Sequence, residues 1–331
     1  MKITQHVRAR RLSRPVLAAT FVALAVIAAA CGPNVVNPRW DQVTSSSPFA
    51  GGGAVVAKTN ATRLDVAYGP AHGCGLGSDT HAPCGGSQTL DIYDAANATR
   101  GTIVFVHGGG FTGGDKRDGV NIGPFLRMRE RGWDVVSVNY RLADPRRGVN
   151  LFPTAVRDVD AALDWIRANG AANNVNTARI VVAGESAGGA IAALIGTAWN
   201  SGRPEFAGIQ RPTAYVAVAG VLTDQTPMAR FWHAQWVPDV NAWGPVVSAY
   251  TWLDSADPPA WLIHGDQDNI VESENSRKLR EKADLGKYGH QVTYDLVDVW
   301  SDNTPMPAHV RGHQPAGGAN IAALGDFLSR L

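Results

Sequence analysis

The stretch Arg179-Ile-Val-Val-Ala-Gly-Glu-Ser-Ala-Gly-Gly189 decides the fold of this chain. Ile180 to Ala183 are apolar and rich in β-branched residues, the signature of a short strand buried on both faces. Gly184-Glu-Ser-Ala-Gly188 then makes a tight turn, and Gly189-Ala-Ile-Ala-Ala-Leu-Ile195 has the composition of a buried helix. Ser186 stands at the apex of that turn in an expected strained backbone conformation, with its hydroxyl projecting freely. Gly184 and Gly188 flank it because side chains there would collide across the turn. The following helix aims its free amides and dipole at the serine, where negative charge would be stabilised.

Outward from this centre the pattern is one of strands alternating with helices. Leu64–Tyr68 and Thr89–Tyr93 alternate as short strands. Thr102–Val106 and Asp134–Asn139 read as buried strands, and Ala214–Val218, Ala260–His264 and Gln291–Asp298 complete the set. Val156, Val159, Leu163 and Ile166 line one face of a helix over Phe152–Asn169, which Gly170 is expected to cap. Ser273–Ala283 and Asn320–Leu331 read as surface helices. Such alternation after an initial β-run predicts an α/β architecture: a mostly parallel eight-stranded sheet with helices on both faces. The Ser186 turn follows the fifth strand.

His107-Gly-Gly-Gly110 follows the third strand directly. Three glycines let the backbone turn its amides toward a pocket and approach a substrate oxygen closely. Together with the amide of Ala187 they would form an oxyanion hole, and the Gly184–Gly188 turn then reads as a nucleophile elbow. Between the sixth and seventh strands lie Phe231, Trp232, Trp236, Trp243 and Trp252. These rings either line or cap a substrate pocket, or pack an irregular excursion onto the core.

From Thr102 onward the chain resembles the carboxylesterase branch of the α/β hydrolases, related to hormone-sensitive-lipase-like and acetyl- or feruloyl-esterase-like enzymes. The motifs that carry the resemblance are HGGGF at His107–Phe111, VNYRLA at Val138–Ala143, GESAGG at Gly184–Gly189 and PPAWLIHGDQDNIV at Pro258–Val271. It implies the α/β-hydrolase fold and ester hydrolysis without a metal or organic cofactor. It also implies that Gly109, Gly110 and Ala187 donate to the oxyanion. Tyr140 and Arg141 match a structural motif of the family and receive no chemical role.

A serine hydroxyl becomes an effective nucleophile when a histidine takes its proton and a carboxylate orients that histidine. In this fold the chain order is serine, acid, histidine. Asp266 and Asp268 both follow the seventh strand, and the family's G-D-x-D-x-x-V pattern puts the acid at Asp268. Asp266 is then expected to shape the loop by bonding nearby amides. Of nine histidines, His6, His72, His81 and His107 precede the serine, while His233 and His264 precede the acid. His290 stands at the wrong end of the last strand. His309 and His313 remain, and Gly312-His313 matches the family's glycine–histidine pair.

Residues 1–30 hold Lys2, Arg8, Arg10, Arg11 and Arg14, no acid, and an apolar run from Pro15 to Ala30. A basic segment, a short apolar stretch and small residues before a cut read as an export signal. Ala28-Ala-Ala-Cys31-Gly32 resembles a bacterial lipobox, which implies lipid attachment at Cys31; an ordinary cleaved signal is the alternative. Residues 31–59, with Ser45-Ser-Ser47 and Gly51-Gly-Gly53, read as a flexible tether to a catalytic domain over 60–331. Outside the cytoplasm Cys74 and Cys84 are expected to pair as a disulfide. A zinc site of His72, Cys74, His81 and Cys84 is the rival reading.

The whole chain carries a formal +1, and −4 without those five basic residues, so no basic stripe suggests nucleic acid. The expected protein is thus a lipid-anchored, extracytoplasmic serine esterase for short to medium acyl esters, of open oligomeric state. An amidase or peptidase on the same residues is the enzymatic alternative. A catalytically silent binding lipoprotein is the alternative from another class.

Overall fold

The computed structural model describes residues 61–70, 88–117, 119–297 and 318–331. Cys31, Cys74, Cys84, His309 and His313, and with them the anchor, disulfide, zinc and base assignments, lie outside the described residues.

Eight strands form one sheet in the order β1-β2-β4-β3-β5-β6-β7-β8. They are β1 (Arg63–Ala67), β2 (Thr89–Tyr93), β3 (Gly101–Val106), β4 (Trp133–Val138), β5 (Ile180–Glu185), β6 (Ala214–Val218), β7 (Ala260–Gly265) and β8 (Val292–Val297). β1–β2 and β2–β4 pair antiparallel, and every other pairing is parallel. Each predicted strand is present with ends moved by at most a residue or two, within the fraying of such boundaries.

The helices are α1 (Gly119–Leu126), α2 (Thr154–Asn169), α3 (Ala187–Thr197), α4 (Pro227–His233), α5 (Val240–Trp243), α6 (Ala249–Trp252), α7 (Glu274–Leu285) and α8 (Gly318–Ser329). Because helices cover both faces, every residue of the central strands β3, β4 and β5 is buried, and most of them are apolar. Val104, Val106, Val136, Val138 and Val182 face α2 and α3 in one core layer. Ile103, Phe105, Val135, Val181 and Val216 pack on the opposite face with Ile122 of α1 and Leu324 and Phe327 of α8. Each such fully buried side chain contributes roughly 1.5–3 kcal/mol.

Gly170 caps α2 as expected, its amide donating to Ile166 O at 2.7 Å, but in a right-handed conformation, φ −57° and ψ −48°, from which the chain continues into a 3-10 turn, Ala171–Asn173. The left-handed residue that stops the helical path is Asn174, φ 60°. The span between β6 and β7 is also less irregular than expected, since it winds into α4, α5 and α6. Among the described residues, no helix is long and apolar enough to cross a membrane.

Candidate active site

Ser186 joins β5 to α3 at φ 52° and ψ −117°, a backbone region that residues with a Cβ rarely adopt. The surroundings hold it there: its amide donates to Val218 O of β6 at 2.8 Å, and its carbonyl accepts from Ala190 N at 3.0 Å. Gly188 lets α3 lie directly on β3, because a Cβ there would overlap the carbonyl oxygens of Val106 and His107. The elbow and the His107–Gly110 loop are therefore in backbone contact. Ala187, with its amide at the first turn of α3, is wholly buried, and Ser186 is 8% exposed.

The glycine loop is braced from several sides. Thr112 N and Gly113 N both donate to Gly109 O, at 3.2 and 3.0 Å, closing a turn that leaves Gly109 and Gly110 at φ +103° and +60°. His107 is fully buried and its Nδ1–H donates to Gly108 O at 2.8 Å. Burial pushes its pKa down to about 4, so the ring is neutral at ordinary pH. Tyr140 stacks on that ring, centroids 4.3 Å apart, and its hydroxyl donates to His107 O at 3.1 Å. Sequence reasoning assigned Tyr140 no role; here it supports the loop beside the serine. The adjacent Arg141 makes a bidentate pair with buried Asp158, Nη2 to Oδ1 at 2.7 Å and Nε to Oδ2 at 2.9 Å. That pair ties the end of β4 to α2.

Beyond β7 the two aspartates part company. Asp268 is 8% exposed, whereas Asp266 is turned to solvent. The loop-shaping bonds expected of Asp266 belong to Asp268, whose Oδ1 accepts from Ile270 N at 2.8 Å and Val271 N at 2.9 Å. Its Oδ2 lies 3.2 Å from His264 Nε2. His264 is itself fully engaged, Nε2–H donating to Val271 O and Nδ1 bonded to Ser276 Oγ, each at 2.8 Å. It props the acid loop from below. Ser186 and Asp268 emerge at the same edge of the sheet, since β5, β6 and β7 run parallel with Glu185 beside Val218 and Val218 beside Ile263.

The tryptophans divide as well. Trp236 stacks face to face on Phe111, 4.1 Å between centroids, and Trp243 and Trp252 pack against Phe152 and Phe206 of the core. Trp232 lies with its ring against Gly110 of the glycine loop. The sequence signalled a cluster of rings but nothing that singled out this one. Among the described residues no group of three or more His, Cys, Asp or Glu side chains could hold a metal ion.

The chain is similar to several known proteins. The BD-FAE family model matches residues 90–228, from β2 through the elbow to the start of α4. Lipase 2 of Moraxella sp. (strain TA144) is 36% identical over 118 residues, 34% of this chain and 26% of that protein. Esterase LipQ of Mycobacterium tuberculosis (strain ATCC 25618 / H37Rv) is 30% identical over 220 residues, 60% of this chain and 50% of that protein. The chain thus spans between about a quarter and a half of these relatives' length. A solved structure, a truncated form of a carbohydrate esterase from gut microbiota, superposes with a TM-score of 0.58 at 21% identity. That match covers 83% of this chain and 98% of the other. Sheet order, elbow position and this likeness together show that the chain has the α/β-hydrolase fold.

Proposed function

We propose that this chain is a serine carboxylic-ester hydrolase acting on short to medium acyl esters. The observation that carries the proposal is Ser186: a positive-φ serine at a strand-to-helix turn, backed by the first amides of α3 and packed against a triple-glycine loop. Ser186 attacks the ester carbonyl while His313 takes its proton, and Asp268 orients the imidazolium. The amides of Gly109, Gly110 and Ala187 hold the oxyanion, which is where a preorganised site gains most. The alcohol leaves with the proton from His313. Water, deprotonated by the same base, then releases the acid and restores Ser186. The buried, doubly amide-bonded Asp268 supports the acid role over solvent-facing Asp266.

The same reading places the enzyme outside the cytoplasm, exported by residues 1–30 and anchored to the membrane by lipid on Cys31, with Cys74 bonded to Cys84. A single diacyl modification is enough for stable anchoring. The catalytic reading is tested by fluorophosphonate labelling followed by turnover of 4-nitrophenyl esters from acetate to palmitate. Labelling of Ser186 and peak turnover at the short end are expected. A serine that resists the probe in folded protein rejects the mechanism, and a peak at palmitate rejects the substrate class.

A further inference from the structure

Trp232 makes two contacts that its neighbours do not. The benzo edge of its indole lies against Gly110: a Cβ added there would come within 2.8 Å of Cζ3 and 3.3 Å of Cε3. The pyrrole end reaches the other way, and Nε1–H donates to Ile270 O at 2.8 Å. Ile270 is the residue whose amide donates to Asp268 Oδ1. One rigid bicycle therefore spans the oxyanion loop and the acid loop.

The helix that carries it is fixed to the same acid-side segment. Thr226 caps α4 by accepting from Ala229 N at 3.1 Å, and its hydroxyl donates to Glu272 Oε2 at 2.8 Å. Phe231 meets the indole edge-on, centroids 5.0 Å apart, and closes its outer side. Trp232 is only 5% exposed, so a ring without the N–H would leave Ile270 O short of a buried donor. Tryptophan joins a long apolar edge to a single donor at the far end, which is the shape this span requires.

We infer that Trp232 is a positioning residue that holds the Gly109–Gly110 oxyanion loop and the Asp268 loop in mutual register. It acts through backbone on both sides and touches no reacting atom. The inference rests on the esterase reading above. Because both loops act only as the tetrahedral intermediate develops, loosening their register lowers kcat and leaves substrate binding in place.

The experiment compares wild type with Trp232→Phe, Gly110→Ala and the double variant on 4-nitrophenyl acetate, alongside thermal unfolding. For Trp232→Phe, kcat is expected to fall about tenfold with KM within about twofold and an unfolding midpoint close to wild type. Gly110→Ala presses a methyl on the indole and lowers kcat; the shorter phenyl ring relieves that pressure, so the double variant loses less than the product of the two single losses. Should Trp232→Phe fail to fold, replacement of Trp232 by 3-benzothienylalanine keeps the ring shape and deletes only the N–H. It is expected to lower kcat about fivefold. Unchanged kcat, a change confined to KM, or strictly multiplicative losses overturn the inference. Wild type that neither labels nor turns over would instead overturn the esterase reading itself.

Discussion

The sheet is held rigid at two places by opposite means. At the carboxyl ends of β3 and β5 the serine turn and the glycine loop are built from backbone: Gly188 permits contact with Val106, and amides bond to carbonyls on every side. At the antiparallel corner of β1, β2 and β4 the material is charge. Lys116, fully buried, places Nζ 2.6 Å from Asp65 Oδ1 and 3.5 Å from Asp91 Oδ1, and Arg117 Nε lies 2.6 Å from Asp91 Oδ2. Burial raises both carboxyls. At Asp65 the hydrogen bonds from Arg117 and Lys116 outweigh it, so its pKa falls, while at Asp91 burial prevails. The segment Asp115–Arg117 follows the glycine loop in sequence, so the two regions are links in one chain of support. The serine turn and glycine loop rest on backbone contacts, with His107 held neutral by burial, and an ion cluster secures the chain at the antiparallel corner. Ion clusters carry a desolvation penalty, and glycine-rich turns carry an entropic one.

The largest effect should come from the groups that the backbone frame presents. Ser186→Ala is expected to reduce ester turnover by roughly 10⁴-fold or more with an unfolding midpoint near wild type. His313→Ala should be comparably inactive and His309→Ala far less impaired on the same substrate. The reverse order would move the base four residues upstream, and a folded, active Ser186→Ala would end the mechanism. Next comes the frame itself. Gly188→Ala drives a methyl into the carbonyls of Val106 and His107, neither of which can yield without moving β3. Urea unfolding should show a loss of about 3 kcal/mol, with turnover lost in the fraction that still folds. Wild-type activity in that variant would mean the helix and strand do not need their contact.

How much of this was legible in the sequence follows the same division. Strands buried on both faces show as apolar runs, and turns that need small residues show as glycine, so β3, β5, His107–Gly110 and the Ser186 elbow could all be read from composition and order. Side-chain struts leave no comparable mark. Tyr140 reads as a family residue with no assigned task, yet its hydroxyl reaches the carbonyl of His107, distant in sequence. The contact of Trp232 with Gly110 and Ile270 depends on how α4 lies over the sheet, which no spacing encodes. Asp266 and Asp268 differ by two positions in one loop; the family pattern favours Asp268, and burial and its two amide bonds set it apart from solvent-facing Asp266. Helix α1 leaves no such mark either, because Gly119, Gly123 and Pro124 disguise it as a loop, although its Ile122 and Phe125 pack into the core.

The charged corner should respond differently. Lys116→Met removes one cation from buried Asp91 but leaves Arg117 beside it. The expected cost is about 3 kcal/mol in urea unfolding, near the lower end for breaking a buried pair. Turnover of the folded fraction should stay within about tenfold of wild type, because the Gly109 turn and Tyr140 still brace the glycine loop. A loss as deep as that of Gly188→Ala would show that the corner, and not the local backbone, sets the oxyanion geometry.

The smallest effect is a pH dependence whose sign separates the two regions. His107 is buried and neutral, its pKa lowered from 6.5 to about 4 by desolvation. As pH falls below 6.5 the unfolded imidazole takes up a proton that the folded one refuses until about 4. The unfolded state then binds more protons, and stability falls with pH across that window by about 1.4 kcal/mol per unit. Asp91 works the other way: its raised pKa means the folded state holds a proton at pH values where the unfolded carboxylate has lost it, favouring the fold on the acid side. His107→Asn keeps a donor for Gly108 O and removes the titration. Urea unfolding of that variant between pH 6.5 and 4.5 should therefore lose stability less steeply than wild type as the pH falls. Parallel slopes in the two proteins would mean that the ring beside the oxyanion loop is not the group that resists protonation, and that acid lability arises elsewhere in the sheet.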